Sequence, residues 1–168
     1  GLGLLLDAWR QHPDGAVGTL TIAGDGELRP LATQAAASRG DIEYAGPLDR
    51  EAVQAAIRAA AVVVVPSTWH DVLPTVVIEA LANGRPVLGT ALGGIPYLID
   101  SAGWVVAPDS AALAAALPLA ARQAAELSPV ARRRYESTLH PDVVTKQLLA
   151  TYRAIAADQP TANQPAKR

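Results

Sequence analysis

Four consecutive valines, Val62 to Val65, stand between an Ala-rich stretch and Pro66. A run with no polar alternation, closed by proline, reads as a strand covered on both faces, as the central strands of parallel sheets are. Similar short aliphatic runs, bounded by glycine or proline, recur at 18–23, 42–45, 61–65, 86–89 and 103–106. Between them lie helical stretches at 4–11, 28–38, 50–58, 74–82 and 95–99. Strands that alternate with helices build an α/β domain around a mostly parallel, doubly wound sheet. Three further helical stretches are expected at 111–125, 129–138 and 141–157, with Pro118 breaking or kinking the first. They are expected to cap one face of the sheet. From Asp158 the chain is polar and carries Pro160 and Pro165, so residues 158–168 are expected to be a disordered tail behind a domain at 1–157.

Composition narrows the function classes. Half of the 168 residues are hydrophobic and 18% are charged, which excludes a chain too polar to bury a core. A formal net charge of −2 argues against a dedicated nucleic-acid binder, which needs a basic excess to neutralise phosphates. There is no cysteine, hence no disulfide, thiolate metal site or thiol nucleophile. No apolar run approaches the ~18 residues of a membrane-spanning helix, and no charged-then-apolar leader is visible. The chain has no methionine and starts Gly1-Leu2-Gly3 inside an apolar pattern, so it is expected to be a piece of a longer protein.

Open parallel sheets bind ligands beyond the carboxyl ends of their strands. Four loops are expected at that edge: Gly24-Asp25-Gly26, Gly46-Pro47-Leu48, the segment from Pro66 to Asp71, and Leu92-Gly93-Gly94-Ile95-Pro96. Gly24-Asp25-Gly26 lacks the third glycine of the dinucleotide fingerprint, since position 29 is Arg, and a tight turn describes it better. A Ser67/His70/Asp71 hydrolase site is disfavoured because triad members come from distant segments and no G-x-S-x-G elbow is present.

The third loop carries more. Pro74 fits the first position of a helix, where a missing N–H costs nothing. The next amides, on Thr75 and Val76, then point out of the helix end and form an anion site of the kind that holds phosphates. Glu79, about 7.5 Å further along at ~1.5 Å per residue, interrupts an apolar stretch and is placed to meet a ribose diol. Asp71 lies beyond the phosphates on the other side. The plain alternative makes Asp71 a turn cap and Glu79 part of an exposed helix stripe. Gly93-Gly94 offers a second close backbone approach, to a phosphate, a sugar or nothing more than a turn. His12 and His140 read as surface residues, and Arg132-Arg133-Arg134 as a solvated helix face with a smaller prospect of contact with an anionic membrane.

Together, the segment Pro66-Ser67-Thr68-Trp69-His70-Asp71-Val72-Leu73-Pro74, then Glu79-Ala80-Leu81-Ala82-Asn83-Gly84-Arg85-Pro86-Val87, then Gly93-Gly94-Ile95-Pro96 resembles the carboxyl-terminal domain of family 4 (group 1) glycosyltransferases of the GT-B fold. The resemblance runs from Gly1 through Gly24-Asp25-Gly26 and Ala45-Gly46 to Gly103. It implies a Rossmann-like domain, the second half of a GT-B enzyme, lacking its first strand. Asp71 and Glu79 occupy the two positions of the family's Glu-x7-Glu signature. By resemblance, Glu79 holds the ribose of a nucleotide diphosphate sugar and Asp71, the catalytic candidate, contacts the transferred sugar. The Thr75 and Val76 amides meet the phosphates, and the Leu48 backbone meets the base. Gly46, Ser67, Leu73, Gly93 and Gly94 complete the donor pocket.

The implied reaction is retaining glycosyl transfer to a glycan, lipid or small molecule, with no cofactor and no obligatory metal, the diphosphate being stabilised by amides and cationic side chains. The partners implied are the donor and an acceptor domain of the same protein, with peripheral membrane association. The setting implied is the cytoplasm, or the inner face of the membrane. The alternatives are a non-catalytic nucleotide-sugar-binding module and a sugar-nucleotide epimerase of the same fold. Two residues depart from the family pattern. Asp71 replaces Glu and shortens the reach by about one bond, ~1.5 Å, and Tyr97 stands where Glu usually follows Gly93-Gly94-Ile95-Pro96. The family's phosphate-binding Arg and Lys lie upstream of the position matched by Gly1, and are not in this sequence.

Overall fold

The aliphatic runs become strands and the Ala-rich stretches between them become helices. The computed structural model describes residues 1–157. Its order is α1 (Leu2–Trp9), β1 (Leu20–Ala23), α2 (Arg29–Ser38), β2 (Ile42–Gly46), α3 (Arg50–Ala59), β3 (Val63–Val65), α4 (Thr75–Ala82), β4 (Val87–Thr90), α5 (Ile95–Ile99), β5 (Gly103–Val106), α6 (Ser110–Arg134), a π-helical turn at Tyr135–Leu139 and α7 (Pro141–Ala157). Every strand pairing is parallel, as helical crossovers require. The expected α/β class is therefore present.

The strands do not form one sheet. β1 pairs with β2, with Leu20 opposite Ile42, while β3, β4 and β5 form a separate sheet with Val63 opposite Val87 and Val87 opposite Gly103. Among the described residues β1 and β3 thus each keep one unpaired edge. Between them runs a cleft of about 1420 Å³, walled in part by Leu5, Leu20, Ile22, Val62, Val64 and Leu117. The interruption falls where a doubly wound order places its first strand. Among the described residues β3 is the outer strand of its sheet, yet both its faces are covered as the valine run implies: Val62 and Val64 pack against one core, and Val63 and Val65 against another.

One core serves both sheets. Leu5, Leu6 and Trp9 of α1 pack with Leu20, Ile42 and Leu88 from the strands and Leu113 and Leu117 from α6. A second core under α4 and α5 gathers Val77, Leu81, Val87, Ile95, Leu98 and Ile99. These cores fix the strand ends, and so the loops of the site.

The helices after β5 differ from expectation. α6 is one helix of 25 residues that passes through both Pro118 and Pro129. Proline deprives the carbonyl four residues earlier of its hydrogen bond. For Pro118 that is the Ala114 carbonyl, which instead accepts a hydrogen bond from His12 Nε2 at 2.9 Å. His12 is accordingly half-buried instead of being a surface residue, and His140 is also half-buried, its ring edge-on to Tyr135 at 5.5 Å. α7 does not cap the sheet: it packs chiefly on the preceding turn and has no buried residue, leaving Leu148, Tyr152 and Ile155 exposed. Among the described residues no helix is long and apolar enough to cross a membrane. The expected tail, 158–168, lies outside the described residues.

Candidate functional site

Loop 66–74 leaves the end of β3 and enters α4, and it is pinned from both sides. The fully buried Thr90 hydroxyl donates to the Ser67 carbonyl at 2.7 Å. The Gly94 amide donates to the Asp71 carbonyl at 2.7 Å. Inside the loop, Asp71 Oδ1 accepts from the Leu73 amide at 3.0 Å, closing an Asx turn. The turn-cap reading of Asp71 is therefore true as far as it goes. Its other carboxylate oxygen accepts no hydrogen bond from the described residues.

Gly93 and Gly94 serve a purpose that the sequence did not reveal. A Cβ on Gly93 would lie 2.1 Å from the Asp71 carbonyl oxygen, and one on Gly94 2.1 Å from that of Val72. Gly93 also sits at φ +54°, in the left-handed region. The close backbone approach expected here is thus made onto the Asp71 loop itself.

The α4 entrance differs by one residue from expectation. Pro74 is the N-cap and not the first helical residue, because its ψ of 102° is extended. The Val77 amide turns back onto the Pro74 carbonyl at 3.0 Å. That leaves the amides of Thr75 and Val76, both exposed residues, open at the positive end of the helix dipole. Among the described residues no side chain caps this end.

Glu79 is half-buried and faces α3, so the exposed-stripe reading does not hold. Its Oε2 accepts from Gln54 Nε2 at 3.1 Å, and Gln54 Oε1 accepts from Asn83 Nδ2 at 2.9 Å. Asp49 caps α3 by accepting from the Ala52 amide at 2.8 Å, which sets the helix that presents Gln54. Leu48, Ser67 and Val76 line the cleft between the sheets, whereas Asp71, Leu73, Thr75, Glu79, Gly46, Gly93 and Gly94 stand outside its lining. Gly46, at φ +70°, accepts from the Gly24 amide at 2.8 Å and ties the loops after β1 and β2 together. No hydrogen bond joins Ser67, His70 and Asp71, in keeping with the disfavoured hydrolase reading.

The other departure, Tyr97, is 68% exposed beside this loop. Arg134 reaches back from α6 to hold it, with the guanidinium 5.4 Å from the ring centre and Nη2 donating to the Tyr97 carbonyl at 2.6 Å. Arg134 also donates to the Leu98 carbonyl at 3.3 Å. The triple-arginine segment is therefore only partly a solvated face. Arg134 is a structural tie, and Arg132 donates to the Ala82 carbonyl and pairs with Glu136 at 2.7 Å.

Thr90, Gln54 and Arg134 were not legible as site residues. A lone polar residue in the aliphatic run 87–90 was the one available signal for Thr90. The other two reveal themselves only through contacts between distant helices.

Comparison with known proteins bears on the whole arrangement. The family model for glycosyl transferases group 1 matches residues 1–121. A phosphatidyl-myo-inositol mannosyltransferase of Mycobacterium leprae is 31% identical over 147 residues, 82% of this chain and 38% of its own length. An amylovoran biosynthesis glycosyltransferase of Erwinia amylovora is 30% identical over 164 residues, 88% of this chain and 40% of its own. Among solved structures, sucrose-phosphate synthase of Thermosynechococcus elongatus superposes with a TM-score of 0.72 at 27% identity, covering 95% of this chain and 43% of that one. The Anabaena protein HepE, solved in complex with UDP, has the same fold, with a TM-score of 0.72 at 22% identity over 92% of this chain and 45% of that one. The chain thus spans about two-fifths of the length of the curated relatives that cover most of it.

Proposed function

This chain belongs to the group 1 glycosyl transferases, and on that premise we propose that it is the donor-binding part of a retaining enzyme that moves a sugar from a nucleotide diphosphate sugar to an acceptor. The observation that carries the reading is the open amide pair of Thr75 and Val76 with a carboxylate on either side, Asp71 before it and Glu79 one helical turn beyond. A diphosphate has the charge and the acceptor atoms that this helix end lacks. Asp71 and Glu79 keep the spacing of the family signature. The UDP seen with HepE supports a nucleotide as the ligand class.

In this reading the diphosphate rests on the Thr75 and Val76 amides, and Glu79 accepts from the ribose diol. The free oxygen of Asp71 accepts from hydroxyls of the transferred sugar. Leu48 borders the base, with Gly46, Ser67 and Leu73 completing the pocket. As the glycosidic bond breaks, negative charge grows on the departing diphosphate. Preorganised amides aimed at that charge lower the barrier without moving, and the upstream basic side chains of the family pattern add to them, with no obligatory metal. Gly93 and Gly94 keep the Asp71 loop in place. The acceptor, a glycan, lipid or small molecule, is bound outside this chain, in the cytoplasm or at the inner membrane face.

Kinetics of the intact enzyme test the assignment. Glu79→Ala is expected to weaken donor binding roughly 10- to 100-fold while largely sparing kcat, because the ribose contact is made equally in ground and transition states. Asp71→Ala is expected to lower kcat by about 10²-fold or more with little change in KM. Unchanged kinetics in both variants would return the two acids to purely structural roles. Release of free nucleotide with no acceptor modified would point to an epimerase or hydrolase instead.

A further inference from the structure

Glu79 is not free to choose its rotamer. One of its oxygens, Oε2, is held by Gln54 Nε2 at 3.1 Å across the α3–α4 contact. The direction of that amide is itself determined. The Glu79 backbone carbonyl accepts from Asn83 Nδ2 at 2.8 Å, which requires the nitrogen of the Asn83 amide to face it. The second hydrogen of that nitrogen goes to Gln54 Oε1 at 2.9 Å. With its oxygen so engaged, Gln54 has only its NH₂ group to offer Glu79. A single backbone carbonyl thus orients two side-chain amides and, through them, a carboxylate. The relay leaves Glu79 Oε1 with no hydrogen-bond partner among the described residues.

We propose that Gln54 is a positioning residue for nucleotide binding: it holds the Glu79 carboxylate in the orientation that presents Oε1 to the ribose diol of a nucleoside diphosphate, and Asn83 sets the direction of the Gln54 amide. The proposal rests on the reading of Glu79 as the ribose acceptor. It adds a second helix, α3, to the donor site and gives a role to two residues that touch no donor atom. A diol offers two vicinal hydroxyl donors, and a carboxylate fixed by one oxygen receives them without reorganising.

The discriminating experiment compares ligands with and without that diol. Binding of UDP, GDP and ADP, and of their 2′,3′-dideoxy counterparts, is measured calorimetrically with the intact enzyme and with its Gln54→Ala, Asn83→Ala and Glu79→Ala variants. For the preferred nucleotide, Gln54→Ala and Asn83→Ala are each expected to weaken binding about tenfold, as for loss of a charge-assisted hydrogen bond, with the dideoxy form changed less than about twofold. Asn83→Ala breaks the relay without altering position 54, so agreement between the two variants does not depend on either one folding ideally. Equal losses for the ribose and dideoxy forms would show a general structural role and overturn the proposal. If Glu79→Ala abolishes the diol preference while Gln54→Ala binds like the parent chain, the proposal alone is overturned and the ribose reading stands. If no nucleotide binds, or Glu79→Ala changes nothing, the ribose reading fails and the proposal fails with it.

Discussion

Replacing Asp41 with alanine is expected to destabilise the fold by about 3 to 5 kcal/mol, the usual consequence of removing one partner from a buried ion pair. Asp41 is 6% exposed immediately before β2, at the opposite end of the strands from the candidate site. Arg39 Nε and Nη2 grip its two oxygens at 2.8 Å each. The Gly15 amide at 2.8 Å and the Trp9 indole at 3.0 Å also donate to Oδ2. Arg39 in turn donates to the His12 carbonyl at 3.1 Å and pairs with Asp14 at 3.1 Å. The cluster therefore joins α1, the loop after it and the turn before β2. Alanine leaves the buried Trp9 indole N–H without its acceptor and Arg39 with only Asp14 and the His12 carbonyl to hold it.

The same carboxylate makes stability depend on pH. Hydrogen bonds from Arg39 foremost, against the cost of burial, hold the Asp41 carboxyl well below the usual carboxylate range. A carboxylate depressed in the folded state stabilises fully above its unfolded pKa, about 3.9, and loses that contribution as pH falls through the folded value. Urea unfolding at neutral pH measures the loss in Asp41→Ala. Repeated towards pH 2, it should show the parent chain losing more stability than the variant does. A neutral-pH loss below about 1 kcal/mol would mean that the cluster relaxes around the missing group.

Gly94→Ala is expected to reduce transfer by the intact enzyme by about 10²-fold, the scale of a misplacement near 1 Å, with a much smaller effect on folding. An alanine Cβ at this position would lie 2.1 Å from the Val72 carbonyl oxygen, well inside contact distance. Gly94 has φ −81°, which alanine adopts readily, so the effect is purely steric. The obstacle is backbone, so relief requires loop 66–74 to shift, breaking the Gly94–Asp71 hydrogen bond and moving the Asp71 carboxylate. Donor binding through the α4 amides should change less than kcat. A variant with parental kcat would show that the loop accommodates the methyl group without moving Asp71.

How much of this was legible in the sequence depended on whether the information was local. The aliphatic runs and Ala-rich stretches located every strand and nearly every helix, because burial on a parallel sheet leaves a mark on each segment by itself. The site was legible where it was one segment, as in the stretch from Asp71 to Glu79 at the entrance of α4. Pro118 misled because its cost is settled elsewhere: the carbonyl that it orphans, on Ala114, is satisfied by His12, some hundred residues away in sequence. The interruption between β1 and β3 could be expected only from the resemblance, since neither strand's own sequence states what pairs with its edge. Arg39 and Asp41 sit two residues apart, yet nothing local announces that Trp9 and Gly15 converge on the same carboxylate. Gly93 and Gly94 were visible as a flexible pair, but the surface that they press against was not.

In the function proposed above, the entrance of α4, with Asp71 and Glu79 on either side, is a nucleoside diphosphate site. The decisive measurement is thermal unfolding of the intact enzyme and its Glu79→Ala variant with UDP, GDP or ADP present. A ligand at 100 times its dissociation constant adds about 2.7 kcal/mol, which for a domain of this size raises the midpoint by roughly 5 to 10 °C. Such a rise is expected with at least one of the three nucleotides, and loss of most of it in Glu79→Ala. No rise with any of them, or an undiminished rise in Glu79→Ala, would contradict it.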